Sequence, residues 1–417
     1  MQKLNIAILS YRSAKFGGGQ GIYVADISNA LRQIGHRVDV ISGPPYPDLD
    51  KKVNLIKLPG LNLFKTFSFN YRLKQFLKKN SKSFIDYYEF LSVLMGGFPE
   101  PKTFGYRANE YLKNNNDYDI IIDNQSLSYG IIEIQNRLPF IEMIHHPITI
   151  DYKYDLQSSR KIKYRISRHR WYSFLKMQKK VAPKIRTIIT PSKNSKKEII
   201  KEFRCKENSI HVINNGLDTN QFRPIITNKK DKFRLITTAS ADVPLKGLDF
   251  TLKALHILKK EYPKIFLVVI GPLKKNGHTS RLIKKLNLKD NIVFKSNLAK
   301  KEIRKLYSES SIAIVSSLYE GFGYPVIEAM SCGIPLIASN VSSIPELTFK
   351  YATLVEPGNA EVISRSVKDI ISNYAKYNEI ASIGREYIID NFNWIKISNE
   401  YENIIYKTIE NFRNANI

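Results

Sequence analysis

The chain is predicted to be an α/β protein of two doubly wound domains, and three observations predict it. An apolar run, Leu4 to Leu9, is followed by a glycine-bearing loop, a helical stretch and a second strand-like run. That β-loop-α-β order dictates a parallel sheet with right-handed crossovers. The same order restarts at Phe233, and 417 residues exceed what one hydrophobic core usually fills.

In the first half, Leu4 to Leu9 reads as a buried strand, Ile22 to Ile34 as a helix stopped by Gly35, and Arg37 to Ser42 as the next strand. Further strands are expected at Val53 to Leu58, Tyr118 to Asp123, Phe140 to Ile144, Arg186 to Thr190 and His211 to Ile213. Between Leu61 and Asn116 the pattern is irregular, as in an insertion that carries binding specificity. The turn-prone Asn214-Asn215-Gly216, with Arg223-Pro224 behind it, marks the joint, giving domains of 1–215 and 216–393. The second half offers strands at Phe233 to Thr238, Ile265 to Ile270, Ile292 to Phe294, Ile312 to Ser316 and Pro335 to Ala338, with a helix at Leu248 to Lys260. A closing helix, Trp394 to Phe412, has no strand after it; its packing partner is open, and the tail from about 394 to 417 can return to the first domain.

Lys and Arg number 65 against 38 Asp and Glu, a net charge of +27 that favours anionic partners. Charge alone does not choose between nucleotide phosphates, lipid headgroups and nucleic acid, and a Lys-rich bias that merely decorates the surface explains it equally well. Basic residues mix with aromatics from Phe64 to Lys82 and from Lys153 to Lys184, where Arg160, Lys161, Lys163, Arg165, Arg168 and Arg170 precede Trp171-Tyr172. An interfacial membrane-binding surface uses this mixture. No helix-turn-helix, zinc-finger or RNP-like pattern supports nucleic-acid binding. Cys205 and Cys332 stand far apart without a CxxC partner, so reduced thiols are expected. No apolar run approaches the roughly 18 to 20 residues that span a bilayer, and the expected location is the cytoplasm, with peripheral contact at the inner membrane face open.

The most informative segment runs from Ser316 to Met330: a strand end, a loop with Gly321 and Gly323, and Pro325 at the start of a helix, where a missing N–H is tolerated. Such a turn aims backbone amides at an anion, and the helix dipole adds positive potential. Glu320 in the loop and Glu328 in the helix can each accept hydrogen bonds from polyol groups of one ligand; equally, Glu328 can simply complement the dipole.

The wording Glu320-Gly321-Phe322-Gly323, four residues, Glu328 resembles the signature of the retaining glycosyltransferases of family 4. The resemblance covers nearly the whole chain and implies the GT-B fold, two Rossmann-like domains facing across a cleft. It implies a nucleotide diphosphate sugar as donor, a glycan or lipid-linked acceptor and no metal or other cofactor. It puts Glu320 on the donor hexose, Glu328 on the ribose, and Gly321, Phe322, Gly323 and Tyr324 near sugar and phosphate. Three further segments fit. Gly17-Gly18-Gly19-Gln20-Gly21 is similar to the family's loop ahead of the first helix, so Gly18 and Gly19 are donor-binding candidates. As a dinucleotide fingerprint the same glycines match poorly, because Val24 stands where a small residue belongs. His145-His146 ends a strand, where open α/β sheets bind ligands; the count from Pro139 favours His145 as the sugar-orienting member, with His146 second. Lys246, beside Gly247, is the expected diphosphate cation, whereas the family's usual Arg six residues earlier is here Ser240. The resemblance implies that Lys246 and the Gly19 and Gly323 amides stabilise the departing diphosphate while Glu320 and His145 orient the sugar. Asp48-Leu49-Asp50 has the letters of a metal-binding DxD but reads as a polar turn. The competing readings are a nucleotide-sugar epimerase of the same architecture, a basic nucleic-acid-binding protein and a dehydrogenase.

Overall fold

The apolar runs become the strands of two parallel sheets, each in its own compact unit: residues 1–215 with 394–417, and residues 216–393. A computed structural model describes residues 3–14, 19–225 and 230–415.

The first unit holds β1 (Asn5–Ser10), β2 (Arg37–Ser42), β3 (Asn54–Lys57), β4 (Ile120–Asn124), β5 (Phe140–Met143), β6 (Ile188–Thr190) and β7 (Ile210–Val212) in the order β3-β2-β1-β4-β5-β6-β7. Every pairing is parallel, with Ile6 beside Val38 on one side and Ile120 on the other. The strand period of two splits β1 between two cores: Ile6 and Ile8 pack with Tyr23, Val24 and Leu31, while Ala7 and Leu9 pack with Phe104, Leu112 and Ile131. Strand order reverses between β1 and β4, the switch point outside which such sheets bind ligands.

Two features depart from the sequence reading, and a third decides a packing that it left open. The first helix begins at Gly19, not Ile22, because Gly21 lets it run against the 13–14 backbone; a Cβ at Gly21 would lie 2.6 Å from the Ala14 carbonyl oxygen. The irregular stretch from Leu61 to Asn116 contains three helices, Phe69–Lys78, Phe84–Leu94 and Glu100–Asn114. Buried ion pairs hold them: Arg107 donates to Asp86 at 2.8 Å and to Glu89 at 2.6 Å, and Lys79 reaches Asp86 at 2.6 Å. Burial opposes ionisation of Asp86, but the Lys79, Ser83 and Arg107 hydrogen bonds prevail and hold its carboxyl down at about 2. Finally, the last helix, Trp394–Asn414, belongs to this unit, with Trp394, Ile397, Tyr401, Ile405 and Ile409 in the core that contains Ile6 and Ile8.

The second unit holds β8 (Asp231–Thr238), β9 (Phe266–Ile270), β10 (Ile292–Lys295), β11 (Ser310–Val315), β12 (Leu336–Ser339) and β13 (Thr353–Val355) in the order β10-β9-β8-β11-β12-β13. It repeats the first sheet's logic, with its switch point between β8 and β11. The three-residue edge strand β13 was not among the strands read from the sequence. No helix among the described residues is long and apolar enough to cross a membrane.

The closing helix is fastened by a hydrogen bond inside the core, between the Tyr23 and Tyr401 hydroxyls at 2.9 Å. Tyr401→Phe should cost about 1 to 3 kcal/mol by removing the bond that the Tyr23 hydroxyl makes in the core, Tyr23→Phe should cost less because the Tyr401 hydroxyl also reaches the Met143 sulfur at 3.6 Å, and the double variant should cost less than the sum. Denaturant unfolding of the four proteins measures this, and additive losses would show that the hydroxyls do not depend on each other.

Candidate functional site

The loops that follow β8 and β11 meet at the second switch point. Gly247 adopts a left-handed φ of +60°, and a Cβ there would stand 1.9 Å from the Ser316 carbonyl oxygen. The loops are also bonded: the Leu318 N–H donates to the Leu245 carbonyl at 2.8 Å and the Ser316 hydroxyl to the Gly247 carbonyl at 2.9 Å. This contact brings the Lys246 ammonium to Oε1 of Glu320 at 2.7 Å, where the Ser317 hydroxyl also donates at 2.7 Å. Glu320 is nearly buried while Lys246 stays partly exposed. The pair therefore joins a fixed carboxylate to a cation that solvent or an anion can reach.

The Glu320 loop is pinned from behind by Ser343, whose hydroxyl donates to the Glu320 carbonyl at 2.9 Å and also to that of Phe322. Gly323 has a φ of +118° and caps the helix Tyr324–Ser331, so the turn needs a residue without a side chain. The helix begins one residue earlier than the sequence reading had it. Pro325 is thus its second residue, where no intrahelical N–H bond is lost either. Gly321 and Phe322 are buried and Tyr324 partly so, with the Phe322 and Tyr324 rings edge to face at 5.4 Å. Glu328 is buried in the helix close to Tyr307, whose hydroxyl is pushed up by burial first and by Glu328 second. Ser240 is exposed just beyond β8. Near it Asp242 caps a neighbouring helix, accepting from the Thr279 N–H at 2.7 Å.

In the first unit His145 and His146 follow β5, but their surroundings differ. Nε2 of His145 lies 2.8 Å from Oδ1 of Asn124, the last residue of β4. Gln125, at a left-handed φ of +58°, accepts from the His145 N–H at 2.8 Å and donates to the His146 carbonyl at 2.7 Å. Ser195 donates to the His145 carbonyl at 3.0 Å, and the Tyr23 ring stands edge-on to the imidazole at 4.8 Å. An amide oxygen only accepts, so with Asn124 in this orientation Nε2 carries the proton and Nδ1 presents a lone pair. Burial, with His146 adding to it, pushes the imidazole down to about 3. His146 turns instead to Asp151, 2.7 Å away.

Of the residues singled out from sequence, Lys246 and Glu320 are brought into contact. Gly19 opens the first helix, and Gly18 lies outside the described residues. The Asp48-Leu49-Asp50 stretch is irregular and leads into a turn at 51–52, where Asp50 accepts from the Lys52 N–H at 2.9 Å. Asn124, Gln125, Ser317 and Ser343 escaped the sequence reading. Position at a strand's carboxyl end was the available signal for the first two, but Asn and Gln in a loop otherwise look like ordinary turn residues.

Comparison with known proteins decides the family. The model for Glycosyltransferase Family 4 matches residues 17–221, and that for Glycosyl transferases group 1 matches 220–387. MMP alpha-(1->4)-mannosyltransferase of Mycolicibacterium hassiacum is 35% identical over 412 residues, 97% of this chain and 98% of that protein. The chain belongs to the group 1, family 4 glycosyltransferases. Mannosylfructose-phosphate synthase of Agrobacterium fabrum is 20% identical, over 92% of this chain and 85% of that one. The fold of this glycosyltransferase is GT-B: sucrose-phosphate synthase from Thermosynechococcus elongatus superimposes with a TM-score of 0.73 at 19% identity, over 97% of this chain and 99% of that one. Anabaena HepE in complex with UDP-glucose gives 0.71 at 17% identity, over 98% and 100%. These matches favour transfer over the epimerase reading.

The surroundings of His145 make a pH prediction for this glycosyltransferase. Nitrogen NMR should find His145 neutral and protonated at Nε2 from pH 8 to about 5, and Asn124→Ala should abolish the tautomer preference. Because its folded pKa lies below the unfolded value, His145 makes stability fall as pH drops below about 6.5. Protonation near the ordinary histidine value would overturn this assignment.

Proposed function

We propose that the chain transfers a mannosyl group from a nucleoside diphosphate mannose to a hydroxyl of a glycan or lipid-linked acceptor, in the cytoplasm and with retention of configuration. The reading rests first on the contact between Lys246 and Glu320 at 2.7 Å, at the carboxyl ends of β8 and β11. A diphosphate calls for the cation and sugar hydroxyls call for the carboxylate, so a donor that carries both can separate the pair and satisfy each half. The sugar is suggested by the Mycolicibacterium relative, named for an α-(1→4) mannosyl transfer. Nucleoside diphosphate mannose carries an α anomeric bond, and an α product from it means net retention.

In this reading the acceptor oxygen bonds to the anomeric carbon as the bond from that carbon to the diphosphate breaks. The electron pair leaves with the diphosphate, and the acceptor proton passes to a departing phosphate oxygen. Lys246 and the backbone amide at Gly323 offset the charge that develops there, so charge compensation needs no divalent metal. Glu328 accepts from the ribose hydroxyls, and Glu320 takes the hexosyl hydroxyls.

A thermal-unfolding screen of GDP-, UDP- and ADP-linked mannose and glucose tests the donor. A ligand at about 100 times its Kd adds about 2.7 kcal/mol, a rise of about 5 to 10 °C for a unit of this size. One mannose donor should give that rise, Glu328→Ala should cut it, and product NMR should show an α anomeric carbon. No rise with any mannose donor, or a larger one with glucose, would sink the reading.

Lys246→Ala should lower kcat by about two orders of magnitude while changing donor affinity less, because the charge it meets is greatest in the transition state. Lys246→Arg should recover part of the loss. Steady-state kinetics with saturating donor and acceptor measures the split; near-normal turnover in Lys246→Ala would remove the residue from the mechanism.

A further inference from the structure

We infer that the helix Phe84–Leu94, with the basic stretches packed beside it, is a docking face for an anionic lipid bilayer, a property separate from the transfer reaction. The helix turns large apolar side chains to solvent at regular spacing: Phe84 (85% exposed), Tyr87, Leu91 (55%), Leu94 and then Met95 (66%). Positions 84, 87, 91, 94 and 95 fall on one side of a helix, and none is charged. The acids of this helix, Asp86 and Glu89, point inward and are neutralised by Lys79 and Arg107. The outward stripe is therefore apolar without an anion of its own.

Two neighbouring segments extend the stripe and surround it with positive charge. Phe76 joins the helix Phe69–Lys78 to this one, stacking on Phe90 at 4.3 Å and meeting Tyr87 at 5.3 Å. That segment exposes Phe67, Phe69 and Leu77 together with Lys65, Lys74 and Lys78. On the other side Gly96 sits against the Arg170 side chain, at the end of the helix Ile162–Trp171. Ile162 and Ile166 are exposed there among Lys163, Arg165 and Arg170. Residues 61–82 carry six Lys or Arg and residues 158–184 carry ten, and neither stretch contains an Asp or Glu.

This combination selects the occupant. A second copy of the chain would press one acid-free basic surface against another, which like-charge repulsion opposes. Nucleic acid would satisfy the cations but leave the apolar stripe in water. A bilayer with anionic headgroups satisfies both, with the cations at the phosphates and the apolar side chains at the acyl boundary.

Co-sedimentation of the full chain with phosphatidylcholine vesicles, with and without phosphatidylglycerol, tests the inference. The chain should bind only the anionic vesicles, and added salt should weaken the binding. Phe84→Asp/Leu91→Asp should weaken binding about tenfold or more, and so should Lys161→Glu/Lys163→Glu/Arg165→Glu on the separate helix. Circular dichroism and thermal unfolding establish that each variant is folded, and the basic-helix variant carries the test if the first fails to fold. Absence of vesicle binding, or binding that survives either set of substitutions in a folded variant, would overturn the docking face. So would a dimer, seen by sedimentation equilibrium, that Phe84→Asp/Leu91→Asp disperses. None of these readings depends on which donor the chain uses.

Discussion

The Lys246–Glu320 pair depends on an approach of two backbones, Gly247 against Ser316. At Gly247 a Cβ would stand 1.9 Å from a carbonyl oxygen, and the residue also holds a left-handed φ, so a side chain is barred twice over. Without one, the loops leaving β8 and β11 lie close enough to exchange hydrogen bonds, and Lys246 is carried to Glu320. The two strands are neighbours in the sheet while their connections leave in different directions, which is what opens space at their carboxyl ends. The family's Glu-x7-Glu wording thus has a physical partner far away in sequence. The carboxylate meets the lysine because a glycine 73 residues earlier lets the two loops approach.

The first unit solves a related problem without charge. Asn124 and His145 follow neighbouring strands, and Gln125 ties the two strand ends together through both halves of its amide. Beneath them Asp123 and Glu142 are opposite each other in the register and fully buried. Burial pushes both carboxyls up, Asp123 to about 6 and Glu142 well above its ordinary value, where the proximity of Asp123 adds to the effect. Two carboxylates ionised side by side in such a place would be prohibitively costly. The neutral state of His145 follows from its own burial, with His146 adding to it.

How much of this was legible in the sequence depended on where each element's stability comes from. The central strands were readable because they are buried on both faces, so Ile6-Ala7-Ile8-Leu9 is an unbroken apolar run whatever surrounds it. The Glu320 to Glu328 spacing was readable because turn, glycine and helix start lie in one contiguous segment. The start of the first helix was missed by three residues, since nothing local announces that Gly21 meets the Ala14 carbonyl. The closing helix gave its length but not its partner, because the Tyr23–Tyr401 bond joins residues at opposite ends of the chain. Asn124 and Gln125 gave no signal beyond polarity, as their role exists only once β4 and β5 are adjacent.

The helices between Leu61 and Asn116 were illegible for a stronger reason: one of them contradicts the rule by which helices are read. An amphipathic helix normally buries its apolar stripe and exposes its acids. In Phe84–Leu94 the acids Asp86 and Glu89 are buried, while Phe84 and Leu91 are exposed. Phe90 and Val93 supply some apolar packing against Leu61 and Leu63, but the helix's rotation is set mainly by Arg107 reaching two carboxylates and by Ser83 and Lys79 sharing one of them. Ion pairs taken out of water add little net stability compared with apolar packing, yet removing one partner is severely costly. Such a network therefore fixes which face points inward more than it deepens the fold. A hydrophobic pattern read along the chain assigns the opposite face, and only the spatial meeting of Arg107 with residues 86 and 89, which lie 21 and 18 residues before it, reverses that assignment.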